Sequence, residues 1–315
     1  MLRKLTFTLI LSLAPVFLFA EAEHGIMIRE AQIYISPDTN AAKLANIVRG
    51  REVHIIEKGA QSWVHVVAVL EQAQQYGEAS REVTGWMLNK GIITNKTPDG
   101  DKIMYGEAVD SEAEASRRRG RKGADADARR LYYRVYEYFP QSPLAGEALY
   151  RAADIQWQLD KEDMASRPSA KERDPGTRPD IDQEAMKLVM KKFPGTKWAD
   201  MAAFHLLDNK LCGDWQAQSK CPEKETEIYT KFADERPKAP NAAEALYNAA
   251  YRQAALIEIY KTEERLDKSK EAAPKAVALT QRVVSQYPNT DWSARALALQ
   301  NKVQNGVPVF GRVVD

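Results

Sequence analysis

In 315 residues there are only two cysteines and four histidines, and none of the short motifs around which enzyme sites are commonly built. No Gly-rich phosphate loop, G-x-S-x-G elbow, H-E-x-x-H pair or cysteine–histidine motif occurs. Carboxylates are plentiful, but adjacent acidic pairs on charged helices are ordinarily surface groups, so nothing local marks an acid or a base. The expectation is a protein with no catalysis, no cofactor and no metal. Charge of one sign is also lacking: the formal net charge is +1, which argues against a nucleic-acid or membrane-surface partner. The apolar stretch from Leu5 to Phe19 is interrupted by Thr6, Thr8, Ser12 and Pro15. It falls short of the ~20 residues that cross a hydrocarbon core, so a membrane-spanning protein is not expected.

That stretch has another use. Arg3 and Lys4 precede it and Ala20-Glu21-Ala22 follows it, the pattern of a secretory signal peptide over residues 1–22. No cysteine stands near the cleavage point to take a lipid. The mature chain is therefore expected to be exported, periplasmic or otherwise extracytoplasmic, and soluble after cleavage. Cutting after Ala22 removes Arg3, Lys4 and Glu21, which leaves 43 basic and 43 acidic side chains of the original 45 and 44. In an oxidising compartment the closely spaced Cys212 and Cys221 read as a disulfide clipping a loop. The competing reading, a metal pair, needs a second pair of ligands. His24, His54, His65 and His205 do not supply one at zinc spacing.

Residues 24–95 are rich in short β-forming runs: "IMIREAQIYI", "AKLANIV", "EVHIIEKG", "SWVHVVAVL" and "TGWMLNKGII", parted by turn residues such as Ser36-Pro37-Asp38 and Lys58-Gly59. Apolar and polar residues alternate in "EVHII" and "SWVHVV", as a half-buried strand requires. Five such runs suggest a small all-β barrel. Tyr34, Trp63 and Trp86 are its candidate ligand-binding aromatics. Trp63 and Trp86 also fit core positions within strands, and Tyr34 is the better candidate for exposure.

Residues 96–123 read as a charged connector, solvated helix or linker, ending in the basic block Arg117, Arg118, Arg119, Arg121 and Lys122. From Ala124 to about residue 305 a phrase recurs: "FPQSPLAGEALYRAA", "FPGTKWADMAAFHLL", "RPKAPNAAEALYNAA" and "YPNTDWSARALALQ". Helical periodicity stands on both sides of each turn, so the unit is helix, proline corner, helix. Pro140, Pro194, Pro237 and Pro288 end one helix and stiffen the corner. Ser142, Thr196 and Thr290 are placed to cap the next helix, and Trp198 and Trp292 to wedge the corner. The prolines are spaced by 54, 43 and 51 residues, more than the roughly 34 of a tetratricopeptide unit. Residues 164–182, Pro-rich and charged without an apolar period, read as a flexible insertion, and residues 306–315 as a tail.

Two resemblances follow from these residues. Tyr34 with Ser36-Pro37, Gly50 to Val53, "SWVHV" and "TGWM" together resemble the bacterial SH3-like domain, with "EQAQQYGEASREV" between Leu70 and Thr84 where that family has a tight turn. The phrase around "YFPQSPLAGEALYRAA" resembles the tetratricopeptide-like repeats of the outer-membrane assembly lipoprotein family and of periplasmic Tol-Pal proteins, although there is no lipobox cysteine and the spacing is irregular. The first resemblance implies non-catalytic binding to cell-wall material or envelope peptides. The second implies an all-α repeat scaffold for a protein or peptide partner in the cell envelope. The fold expected is thus multidomain, an SH3-like barrel followed by tetratricopeptide-like helical repeats. Its expected role is envelope scaffold, or alternatively a peptidoglycan-targeted accessory in which the barrel is the main binding module.

Overall fold

The computed structural model describes residues 23–71, 79–166, 180–212, 215 and 217–311. The expected signal segment, the centre of the 164–182 insertion and most of the "EQAQQYGEASREV" insertion lie outside the described residues. The chain divides into a β unit ending at Thr97 and a helical unit beginning at Pro98.

Seven antiparallel strands build the β unit: β1 Glu23–Met27, β2 Ala31–Tyr34, β3 Lys43–Ile47, β4 Glu52–Lys58, β5 Trp63–Glu71, β6 Arg81–Leu88 and β7 Ile92–Thr94. Their order in the sheet is β3-β2-β6-β5-β4-β1-β7. The barrel expected from five runs is corrected here. Two of those runs break into two strands each at Ile28–Glu30 and Asn89–Gly91, and the end strands β3 and β7 do not pair, so the sheet is open. Alternation holds within it: Val53 and Ile55 of β4 and Val64, Val66 and Ala68 of β5 join Met27, Ile33, Ile47 and Met87 in one apolar layer. Gly85, in the sharply packed "TGWM" segment, has a structural reason to lack a side chain. A Cβ there would come within 2.7 Å of the carbonyl oxygen of Tyr34, on the strand that pairs with Trp86.

The helical unit opens earlier than expected. Residues 96–123 are expected to be a solvated helix or linker; Gly100–Ala115 is a helix (α1), and it packs on α2. Met104, Ala108 and Ser111 are buried at i, i+4, i+7 spacing, the stripe that docks a helix. Polar groups complete the seam. Tyr105 donates to Glu147 at 2.6 Å, Tyr132 to Glu112 at 2.6 Å and Ser142 to Asp101 at 2.6 Å. The basic block is partly consumed locally, since Arg117 pairs with Glu114 at 2.6 Å and Arg121 with the buried Asp127 at 2.5 Å.

Four helix pairs follow: α2 Ala124–Tyr138 with α3 Ala145–Ser166, α4 Glu184–Lys192 with α5 Lys197–His205, α6 Lys220–Glu235 with α7 Ala242–Thr262, and α8 Leu266–Gln286 with α9 Asp291–Gln304. Each pair is joined at one of the four proline corners. The residue before the proline adopts nearly one backbone conformation at all four: Phe139 (φ −129°, ψ 58°), Phe193 (−127°, 54°), Arg236 (−134°, 58°) and Tyr287 (−131°, 51°). Proline's ring disfavours the helical region for its predecessor, which helps to end the first helix of each pair, although Pro274 is accommodated inside α8. The corners are exposed at Pro140, Pro194, Pro237 and Pro288. Behind them Ala145, Ala148, Ala242, Ala245 and Ala249 are fully buried, small enough to let the helices approach.

Candidate functional site

The β-unit aromatics come together. In the ladder Tyr34 is opposite Trp86, which is opposite His65, so all three share the face turned away from the apolar layer. Trp63 lies edge-on to Tyr34 at 5.6 Å and Trp86 stacks on His65 at 4.8 Å. Trp63 is buried, whereas Tyr34 and Trp86 are half-buried. Gly59 lies under this group, where a Cβ would meet the Trp86 ring at 2.7 Å.

At the helix corners Thr196 and Thr290 accept from the backbone N–H groups of Ala199 and Ser293 at 3.4 and 3.3 Å. Ser142 differs from its expected role: it accepts from the N–H of Leu144, outside α3, and donates to Asp101 of α1. The tryptophans differ too. Trp198 and Trp292 are half-buried and reach back to the preceding pair, where Trp198 stacks on Tyr150 at 5.6 Å and Trp292 leans on Tyr247 at 5.3 Å. Tyr150 and Tyr247 hold the same place in their copies of the phrase, ten residues after Pro140 and Pro237. The tryptophans therefore also lock one pair to the next, while packing in the same clusters as Phe193 and Tyr287 of their own corners.

Cys212 and Cys221 are disulfide-bonded, with Cα atoms 6.0 Å apart. The clipped loop is held from beneath by Glu225, a carboxylate that is almost completely buried. Glu225 accepts from the N–H of Cys212 at 2.8 Å, from Trp215 Nε1 at 3.3 Å and from Arg252 Nε at 2.7 Å. Arg252 in turn lies over the Tyr229 ring at 4.5 Å. A buried ion is tolerated because each carboxylate oxygen meets a donor and one donor is a cation.

The most site-like feature is a groove of about 470 Å³ between α2, α3 and α4. Its floor is apolar: Leu149, Ala152, Ala153, Ala185 and Leu188. Its rim carries Arg129, Tyr133, Lys187 and Lys191. Lys187 is paired with Glu184 at 3.1 Å. Arg129 is held differently, with its Nε buried and without a hydrogen-bond partner among the described residues. Burial, and after it the neighbouring charge of Arg130, press the Arg129 guanidinium below its ordinary pKa. The guanidinium stays charged, so a carboxylate placed in the groove offsets part of that desolvation through its charge. Tyr133, 40% exposed, stands at the mouth. Sequence reading missed this groove because its walls come from three helices and its residues carry no motif. The signal present was the "ARRLYY" run, which places Arg129 and Tyr133 one turn apart on one face.

No family model matches this chain, and no curated protein matches it. Among solved structures the chain is similar to one described as DHF58 filament, at 14% identity over 65% of this chain and 91% of that one, with a TM-score of 0.23. A likeness that slight carries no argument. Among the described residues no helix is long and apolar enough to cross a membrane.

Proposed function

We propose that this protein is a non-catalytic scaffold of the cell envelope that binds an acidic, partly apolar peptide segment of a partner in the groove between α2, α3 and α4. The observation that carries the reading is one groove lined by the cationic Arg129 and Lys191 together with the apolar Leu149, Ala185 and Leu188. An aliphatic side chain would cover Leu188 and Ala185 while a carboxylate two or three residues away meets Arg129 and Lys191. Lys191 makes no ion pair among the described residues. The four alike proline corners support reading the helical unit as tetratricopeptide-like, a class whose stacked helix pairs present such grooves. The disulfide supports an extracytoplasmic setting.

The test is binding of fluorescent peptides, one with a Leu next to a Glu-Asp pair and one with Lys in place of both acids. The acidic peptide should bind and weaken as salt rises, because rim charges are screened. Arg129→Ala and Leu188→Asp should each weaken it by about tenfold or more. Equal binding of both peptides, or no effect of Arg129→Ala, overturns the reading.

The shared face of Tyr34, His65 and Trp86 favours a second reading for the β unit, as an SH3-like contact with peptidoglycan through ring stacking. Co-sedimentation with purified peptidoglycan, reduced by Trp86→Ala, is its expected result. Sedimentation unaffected by that change counts against it.

A further inference from the structure

Outside these sites, the β unit brings His24 against Glu52 and His54, a pair about thirty residues away in the chain. His24 of β1 is directly opposite His54 of β4 in the antiparallel ladder. Glu52 is two residues before His54 on the same strand, hence on the same face. One ligand atom from each, a ring nitrogen from either histidine and a carboxylate oxygen, lie within 4.8 Å of one another. The imidazoles meet edge to face at 4.3 Å, and Nδ1 of His24 is 3.1 Å from Oε1 of Glu52.

We infer that His24, Glu52 and His54 form a binding site for a borderline divalent transition-metal ion, of which Zn²⁺ is the representative. Ligands at ~2.0–2.2 Å from Zn²⁺ stand roughly 3.3–3.6 Å apart in a tetrahedron, so small side-chain rotations suffice to close the set. Two imidazoles and one carboxylate suit Zn²⁺, Co²⁺, Ni²⁺ or Cu²⁺, and not Mg²⁺ or Ca²⁺, which prefer all-oxygen ligands. The backbone beneath is fixed from both sides. β1 is hydrogen-bonded to β4 on one edge and to β7 on the other, and Gly25 lets β7 approach where a Cβ would meet Ile92 at 2.4 Å. Donors mounted on paired strands keep their spacing better than donors on loops. The His24 side chain is 43% exposed, so a fourth coordination position faces solvent, and the ion would tie β1 to β4 across the sheet.

The experiment is titration of the untagged full chain with ZnCl₂ by calorimetry, alongside Co²⁺ loading read by visible d–d absorption. Saturable uptake of one ion per chain at this site is expected. His24→Gln and His54→Gln should each weaken it ~10–100-fold, the scale on which metal sites answer the loss of a coordinating or supporting group. Both should also abolish the Co²⁺ band, while His65→Gln leaves affinity and band unchanged. Should His54→Gln fail to fold, His24→Gln decides alone, because its side chain is 43% exposed and its loss leaves no core cavity. Absence of saturable binding, or one-to-one binding that survives in the His24→Gln variant, overturns the assignment.

Discussion

Trp198 is the residue whose role changes most once its neighbours are known. A fully buried tryptophan cut to alanine costs roughly 3–5 kcal/mol. Trp198 is half-buried and stacked on a single tyrosine with Lys197 above it at 4.2 Å, so Trp198→Ala should cost about 2 kcal/mol. Tyr150→Ala should cost more because Tyr150 is itself buried, and the double variant should cost less than the two added, since they share one contact. Urea unfolding of the three variants checks this, and strict additivity would show that the rings do not interact. Glu225 presents the opposite case. Glu225→Ala leaves Arg252 charged and desolvated and the N–H of Cys212 without its acceptor, a loss of about 3–5 kcal/mol. Adding Arg252→Ala should recover part of that loss. A Glu225→Ala midpoint equal to the wild type would mean that water reaches Arg252.

At the scale of elements, α1 and the disulfide loop each make a measurable claim. α1 is joined to the helix pairs through phenols whose environment favours the neutral form. Burial first, and then the hydrogen bond to Glu147, push Tyr105 up to about 12. Burial raises Tyr132 as well. In the unfolded chain these groups ionise near about 10. Between roughly pH 10 and 12 the unfolded chain holds fewer protons than the folded one, so stability is present in full below about pH 10 and falls as pH rises. Tyr105→Phe removes one titrating group, and its urea midpoint should fall less steeply over that range than the wild type's. The Cys212–Cys221 bond spans nine positions, for which chain entropy gives about 2–3 kcal/mol. Cys212→Ser/Cys221→Ser should lose that amount and no more, because Glu225 still holds the loop from α6. A much larger loss would assign the loop's order to the bond alone.

For the whole molecule, the division at Thr97 and Pro98 predicts that residues 23–97 and 98–311 each unfold cooperatively when expressed separately. The boundary matters in practice. A helical fragment begun at Ala124, where sequence reading put it, lacks α1 and uncovers Tyr132, fully buried in the intact unit, whose hydroxyl donates to Glu112 and whose ring meets Tyr105 of α1. That fragment should melt lower than 98–311 and tend to aggregate, which scanning calorimetry and light scattering can check. Similar behaviour of the two fragments would restore α1 to the status of a linker.

The sequence by itself determined the elements whose cause is local. Alternation made the strands and the proline corners helped to end the helices, since proline disfavours a helical predecessor, a bias that α8 overrides at Pro274; the close cysteines paired. A helix in 100–115 was allowed by the composition, but its buried stripe of Met104, Ala108 and Ser111 was not legible, because charged residues surround it on the chain. Tertiary structure decided everything that depends on two distant segments meeting. It separated β1 from β2, consecutive in sequence, by β6, β5 and β4, and it left the sheet open because the end strands β3 and β7 do not pair. It turned Trp198 and Trp292 toward the preceding helix pair, and it gathered Arg129 and Leu188 around one groove. It also placed His24 opposite His54, thirty residues away in the chain, because ladder register is set by which faces must be buried and not by separation along the sequence.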